Sequence, residues 1–472
     1  MIASDIPPGW KLVPLGQLAN PPEDGMVSGP FGSNLLASEY VDSGQPVVRL
    51  QNISRGEFLP KNLEHVTEEK ARQLSAHTFA PGDILITKLG DTLGKACVAP
   101  KEVGPGVVTA DIIRVRPGPA VDTTYLMWAV NAPRIARELV GVTGGTTRPR
   151  VRLNHFREME IPLAPLPEQR RIVEAIEANF ARLEVGEAAL DQTARIVESY
   201  WLSVLQAAFS GGLTVESASG LTYEERANQG LPQGWCLASI GELKQFSMYG
   251  PRFSSDEYSQ DGTAIVRTTD MREDASIDFS ESPRVPLTAK NLERYRLQRG
   301  DLLITRTGSL GTLAVYNGEP DAIAGAFLIQ YRLKAPVTTV RYVAYWLRSP
   351  SGRTQLLSHA AGSGRPNLSS PGIDSISVPL APMEEQSVIL ERLDEHYSWV
   401  LTIRDAIRKS RAKAIRVREG ILRSAFSGRL VPQDLSDEPA SALLERIKRE
   451  RSSPKPVPTV RRSKRVAPGA AS

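Results

Sequence analysis

Two stretches of the chain carry the same apolar rhythm. Ile172, Ile176, Phe180, Leu183, Leu190, Ala194, Val197, Trp201, Leu205 and Ala208 recur at spacings of three, four or seven. Ile389, Leu393, Tyr397, Val400, Ile407, Ala414 and Leu422 hold the same register further on. Such spacing gathers apolar side chains on one stripe of a helix. Pro167 and Glu168 suit a helix start, and Gly211 and Gly428 stand where each helix would stop. The pattern predicts two helices of roughly 42 residues, about 60 Å long at 1.5 Å per residue. A helix that long outruns one globular core, so its stripe calls for a second helix, and the other copy is the obvious partner. The plainer alternative is two separate helices, each packed on its own domain.

Ahead of each helix the rhythm changes. Short strand-like runs such as Val47–Leu50 and Ile84–Thr87 are broken by glycine and proline, with helical stretches over Tyr125–Leu139 and Val340–Leu357. This plan occurs twice because the chain is an internal repeat. Gly9-Trp10 returns as Gly234-Trp235, and Gly29-Pro30 as Gly250-Pro251. Gly82-Asp83-Ile84-Leu85-Ile86-Thr87-Lys88 returns as Gly300-Asp301-Leu302-Leu303-Ile304-Thr305-Arg306. Pro162-Leu163-Ala164-Pro165, Glu168-Gln169 and Ala208-Phe209-Ser210-Gly211 return as Pro379-Leu380-Ala381-Pro382, Glu385-Gln386 and Ala425-Phe426-Ser427-Gly428. The boundaries follow: a globular part over 7–166, a long helix over 167–213, a linker over 214–231, a second globular part over 232–382, a second helix over 383–430 and a tail over 431–472, partly disordered and basic.

The fold class expected is α+β: two mixed α/β domains in tandem, each followed by a long helix. Antiparallel pairing of the helices lets the second domain begin where the first helix ends, giving an approximate two-fold axis. DNA has dyads of its own, so a protein with such an axis suits two half-sites, and a rigid spacer would fix their separation. The two domains differ in most side chains, so the half-sites should differ too.

Three polar, turn-rich segments in each repeat are candidates for DNA contact. The first holds Ser28, Phe31 and Ser33, with Tyr249 and Arg252 opposite; its small residues would let backbone approach a phosphate. The second follows a strand and holds Lys88, with Arg306 and Ser309 opposite. The third holds Thr146, Arg148, Arg150 and Arg152, with Arg365 and Asn367 opposite. Alternating arginines on an extended stretch project to one side; arginine forks to guanine, and asparagine pairs with adenine. Arg49, Asn52 and Arg267 are weaker candidates, since polar strand faces often meet only water. Each segment also has a plain reading as an ordinary loop, hairpin turn or solvated strand.

Composition adds limits. The net charge of +4 on 472 residues is mild, but Arg404–Arg418 carries seven basic residues against one acid, Asp405. No apolar run is long enough to span a membrane, and no secretory leader is visible. Cys97 and Cys236, the only cysteines, lie far apart, which fits a reducing cytoplasm and no metal site. Asn20-Pro21-Pro22-Glu23 lacks the aromatic residue that would hold a flipped base and reads as a turn. Gly90–Ala96 resembles a phosphate loop but is one residue short and lacks the magnesium-binding hydroxyl. No catalytic residues and no cofactor site are expected in this chain.

Taken together, the chain resembles the specificity subunit of type I restriction-modification systems. The Gly-Trp openings, the Gly-Asp-(Ile/Leu)-Leu-Ile-Thr segments, the Pro-Leu-Ala-Pro…Glu-Gln helix starts, the Ala-Phe-Ser-Gly helix ends and the Leu430-Val431-Pro432-Gln433-Asp434 tail carry the resemblance. It implies two target recognition domains, each reading half of a bipartite site on double-stranded DNA. It implies that the helices are a spacer and a docking surface for two modification subunits that bind S-adenosylmethionine and methylate adenine N6. Restriction subunits using ATP and Mg2+ would join them. A coiled-coil scaffold without sequence preference, and a methylation component acting without a nuclease, are the competing readings.

Overall fold

The computed structural model describes residues 6–21, 24–30, 34–90, 93–142, 150–214, 230–272, 274–360 and 367–452. It divides into unit 1, residues 1–188 with 411–472, and unit 2, residues 189–410. These units are not the two successive repeats. Each takes the start of one long helix and the end of the other, because the helices pair antiparallel.

Unit 1 begins with β1 (Lys11–Pro14), β2 (Met26–Ser28), β3 (Gln45–Val48), β4 (Glu64–Val66), β5 (Thr78–Phe79), β6 (Ile84–Thr87), β7 (Ala96–Val98), β8 (Gly106–Val108), β9 (Ile112–Val115) and β10 (Glu160–Leu163). One sheet runs β2-β9-β6-β7 and is antiparallel throughout. The other runs β4-β3-β8-β5, with β3 and β8 parallel. β1 pairs with β10, closing the domain's ends together. β6 and β9 are buried along their whole length, which is why Ile84–Thr87 reads as a continuous apolar run without alternation.

Unit 2 repeats the plan with β11 (Cys236–Ser239), β12 (Lys244–Tyr249), β13 (Thr263–Val266), β14 (Arg284–Val285), β15 (Leu302–Thr305), β16 (Leu313–Val315), β17 (Ala322–Ala324), β18 (Leu328–Leu333) and β19 (Ser377–Leu380). Its sheets run β12-β18-β15-β16 and β14-β13-β17, and β11 pairs with β19. The expected helical stretches are each two helices, Thr123–Val130 with Pro133–Gly141 and Val337–Arg348 with Pro350–Ser358. A proline opens the second helix of each pair, where its missing N–H costs nothing.

The long helices span Leu166–Ala208 and Met383–Ala425. Gly211 and Gly428 take left-handed backbone, and the amides of Gly212 and Arg429 reach back to the carbonyls of Ala207 and Ser424, both at 2.8 Å. That is the glycine-terminated closure the sequence signalled. In unit 1, Phe180 packs edge-on to Trp128 and lies under Arg418, which pairs with Glu187 at 2.8 Å. In unit 2, Glu198 pairs with Arg404, Tyr200 with His396 and Trp201 with Tyr397. Along the helices, from Phe180 at Arg418 through Glu198 at Arg404 to Trp201 at Tyr397, rising numbers on the first meet falling numbers on the second.

The repeated motifs are fasteners. The indole N–H of Trp10 donates to Glu168, and that of Trp235 to Glu385, both at 2.9 Å. The side-chain amides of Gln169 and Gln386 donate to the carbonyls of Ala164 and Ala381. The hydroxyls of Tyr125 and Tyr342 donate to Pro162 and Pro379 at 2.7 Å. Buried Asp83 and Asp301 cap their turns and receive forked bonds from Arg116 and Arg332. The Gly-Trp, Glu-Gln and Gly-Asp signatures therefore hold the fold.

Part of the tail is ordered onto unit 1, while residues 453–472 lie outside the described residues. Ala440–Ser452 is helical; Leu443 and Ile447 are buried against Ala120 and Leu166, and the amide of Ala440 bonds to the carbonyl of Gly9 at 2.9 Å. Its apolar residues were too few to register as a helix by periodicity, but unit 1 supplies the surface they cover. Asn20-Pro21 lies in a turn closed by the Gly25 amide on the Pro21 carbonyl. β6 and β7 pair antiparallel on either side of the Gly90–Lys95 stretch, so a strand follows it where a phosphate loop has a helix; Asp91 and Thr92 lie outside the described residues.

Candidate nucleic-acid interface

Lys88 leaves the end of β6, and its backbone ties two other segments to that point. Its amide donates to the carbonyl of Asp111 at 2.9 Å, and its carbonyl accepts from Val151 at 3.2 Å. Arg306 does the same at the end of β15, bonding Phe327 and Leu368, both at 2.9 Å. The second and third segments expected to contact DNA thus meet at one place in unit 1 and at the equivalent place in unit 2, and side chains of Ser28 and Tyr249 from the first segment reach the same places.

The side chains gathered there differ. In unit 1 the Lys88 ammonium donates to the hydroxyl of Ser28, and His77 Nδ1–H donates to the Ser28 carbonyl at 2.8 Å. Arg150 pairs with Asp111 at 2.9 Å. Burial, helped by the nearby Arg150 charge and opposed by Asp111, holds the Lys88 ammonium below the usual lysine range. In unit 2 the Arg306 guanidinium lies over the Tyr249 ring, 4.5 Å from its centre, and its Nε donates to Asn367 Oδ1 at 3.1 Å. Tyr249 accepts from the Ser370 amide at 3.3 Å. Arg252, Tyr258, Arg267 and Phe327 border a cavity of 580 Å³ beside this group.

Asp111 and Phe327 escaped the sequence reading. They occupy matching positions, and Phe327 is 55% exposed, unusual for a large apolar side chain. Aligning Thr109-Ala110-Asp111 with Gly325-Ala326-Phe327 would have flagged them. His77 escaped as well, since nothing in its local sequence links it to Ser28.

Other expectations change. Asn52 is fully buried, its amide spent on the carbonyls of Leu59 and Lys61 and its oxygen on the Arg49 amide, so it cannot reach DNA. Arg49 braces the same loop through Asn62 and Glu64, and Arg267 braces its counterpart through Asp270 and Glu281. Ser309 sits in the hairpin turn after β15 and borders a different cavity, with Arg272 and Arg353. Arg152 is exposed at the start of a short helix, Leu153–Glu158. Gly29 and Gly250 serve the chain's own backbone and not a phosphate: a Cβ there would stand 2.0 Å from the Thr109 carbonyl oxygen and 2.2 Å from that of Gly325. Phe31, Ser33, Thr146, Arg148 and Arg365 lie outside the described residues.

Among the described residues, no helix is long and apolar enough to cross a membrane, and no cluster of three or more His, Cys, Asp or Glu could hold a metal ion.

A two-sheet module occurs twice with basic side chains at the same strand end, joined in unit 2 by aromatic ones, and such side chains suit contact with a nucleic acid. The type I restriction modification DNA specificity domain matches residues 9–190 and again 232–410, and the chain belongs to that family. It is 24% identical over 470 residues to the specificity subunit of the type I restriction enzyme StySPI of Salmonella potsdam, covering 95% of this chain and 96% of that one. It is 24% identical over 475 residues to the EcoKI specificity subunit of Escherichia coli K12, covering 96% and 98%. Its fold matches a chain solved in work on complex assembly and conformational transition of the type I R-M system, with a TM-score of 0.65 at 20% identity over 90% of this chain and 99% of that chain. The family gives the chain a role in DNA sequence specificity.

Proposed function

We propose that the chain is the non-catalytic specificity subunit of a type I restriction-modification complex in the cytoplasm. Each globular domain reads one half of a bipartite, asymmetric target in double-stranded DNA. The paired long helices set the gap between the half-sites and dock two modification subunits, which carry S-adenosylmethionine and methylate adenine N6. Restriction subunits bring ATP and Mg2+. This chain supplies neither cofactor site nor chemistry.

One observation carries the reading. A single backbone junction recurs in both units, and the residues on it change from Ser28, Lys88, Asp111 and Arg150 to Tyr249, Arg306, Phe327 and Asn367. A constant frame with exchanged side chains is what two different base sequences require. The residues that phosphate and base contacts would use are Ser28, Lys88, Arg150 and Arg152 in unit 1, and Tyr249, Arg252, Arg306 and Asn367 in unit 2. Arg148 and Arg365 belong to the same segments by sequence.

The test is selection from a random DNA library by the chain co-expressed with its modification subunit. The expected product is two short motifs separated by a fixed gap. Absence of any sequence preference would leave a scaffold. Removing seven residues within 184–190 together with the facing seven of the second helix should shorten the gap; an unchanged gap refutes the spacer role.

A further inference from the structure

Unit 1 holds a cavity of 470 Å³ between the helix Pro133–Gly141 and the end of the second long helix. Leu422 and Phe426 line its apolar part, and Arg134, Arg137, Arg423 and Arg429 surround it with no acid in the lining. None of these four arginines forms an ion pair with a described residue. Arg134 Nη1 is buried without a hydrogen-bond partner, and Arg137 bonds only the carbonyl of Pro133 at the base of its own helix. Four like charges repel one another, and a buried unsatisfied N–H costs free energy. An entering anion relieves both.

The corresponding positions of unit 2 are Ser351, Thr354, Gln206 and Gly212. Ser351 there donates to Gln206 at 3.1 Å, so that site is neutral and satisfied. The positive pocket belongs to unit 1 alone, and nothing in the shared fold demands it.

Its shape selects the occupant. Duplex DNA presents phosphates on a convex rod and offers nothing apolar to cover Leu422 and Phe426. An acidic peptide segment with one apolar side chain fits both parts: carboxylates accept forked bonds from the arginines, and the apolar group covers the floor. The pocket also continues the surface of the second long helix. We propose that it docks an acidic segment of a modification subunit, so that one of the two docking positions is tighter than the other. This rests on the reading that the helices dock those subunits.

The experiment is native mass spectrometry of the full chain co-expressed with its modification subunit, across a dilution series. The wild-type complex should lose its two modification subunits in two separated steps. Arg134→Glu with Arg423→Glu should weaken the tighter step by about tenfold or more and merge it with the weaker one. Arg134→Lys with Arg423→Lys should restore most of the separation, and a melting curve close to wild type shows that the fold survives. If wild type binds no modification subunit, the docking reading itself fails. If both subunits bind wild type and the charge-reversed variant alike, only the pocket is refuted. If assembly is unchanged but DNA affinity falls with a shallower salt dependence, the arginines contact phosphate and the proposal is again overturned.

Discussion

The strand-end junctions of the two units are built on the same backbone hydrogen bonds and furnished with different side chains. Unit 1 gathers a lysine bonded to a hydroxyl and an arginine paired with a carboxylate. Unit 2 gathers an arginine stacked on a tyrosine, an amide and an exposed phenyl ring. Residues that close the fold are matched pair by pair: Trp10 with Trp235, Glu168 with Glu385, Asp83 with Asp301, Tyr125 with Tyr342. The residues where the segments meet are not matched: Ser28, Lys88, Asp111 and Arg150 stand opposite Tyr249, Arg306, Phe327 and Asn367. The matched residues are those whose change would open the fold, and the unmatched ones lie where a change leaves the backbone bonds in place.

The largest expected effects test the shared half of that comparison. Gly29→Ala and Gly250→Ala each force a Cβ into a neighbouring carbonyl. Each should cost about 3 kcal/mol or more, since β8 and β17 cannot give way without breaking their sheets. Hydrogen exchange should show loss of protection in β2 and β8 for the first variant and in β12 and β17 for the second. Unequal losses would mean that the two junctions are not mechanically equivalent.

Next come substitutions that divide the units. Arg306→Ala should weaken binding to one half-site by about 10- to 100-fold, because it also releases Tyr249 and Asn367 from their places. Binding to the other half-site should be untouched. Anisotropy titrations with each half-site scrambled in turn provide the measurement; equal losses on both would end the one-domain-per-half assignment. Exchanging Asp111→Phe and Phe327→Asp should be gentler on affinity and sharper on sequence. A carboxylate accepts from the cytosine amino group, and a phenyl ring favours the thymine methyl, with about 1–3 kcal/mol of discrimination per good contact. Sequencing of methylated sites should show one altered base in each half; an unchanged motif would place both residues outside the read.

The sequence exposed the frame far better than the site. The long helices were legible because their burial is periodic: Ile172, Ile176 and Phe180, then Val197, Trp201 and Leu205, are the residues the structure buries. Their ends were legible because Gly211 and Gly428 take the left-handed backbone that stops a helix. Asn52 was misjudged because a polar residue after a strand looks alike whether it faces water or caps its own loop. Ser28, Lys88 and Arg150 are legible separately, but their meeting depends on a side-chain bond from Lys88 to Ser28 and a backbone bond from Val151 to Lys88, contacts distant in sequence that no local pattern encodes. Asp111 and Phe327 were missed for the same reason, and the helix at Ala440–Ser452 because its stability comes from the surface of unit 1.

The smallest expected effect is a difference in pH response. Burial comes first and the Arg150 charge second in pushing the Lys88 ammonium below its ordinary range, with Asp111 pulling the other way. A lysine so shifted is charged below its lowered pKa and neutral above it. As pH rises through that value, unit 1 loses a cation while free lysines keep theirs, so affinity for its half-site should fall. Bound DNA favours the charged form, so binding there should take up protons, detectable by calorimetry in buffers of differing ionisation enthalpy. Unit 2 has an arginine and no lysine at the same position, so its half-site should show no such fall. Lys88→Arg should flatten the unit 1 profile. Asp111→Asn removes the opposing pull and should move the fall to lower pH. An alkaline loss that persists in Lys88→Arg would place its origin elsewhere, and the contrast between the two junctions would then be one of shape and not of charge.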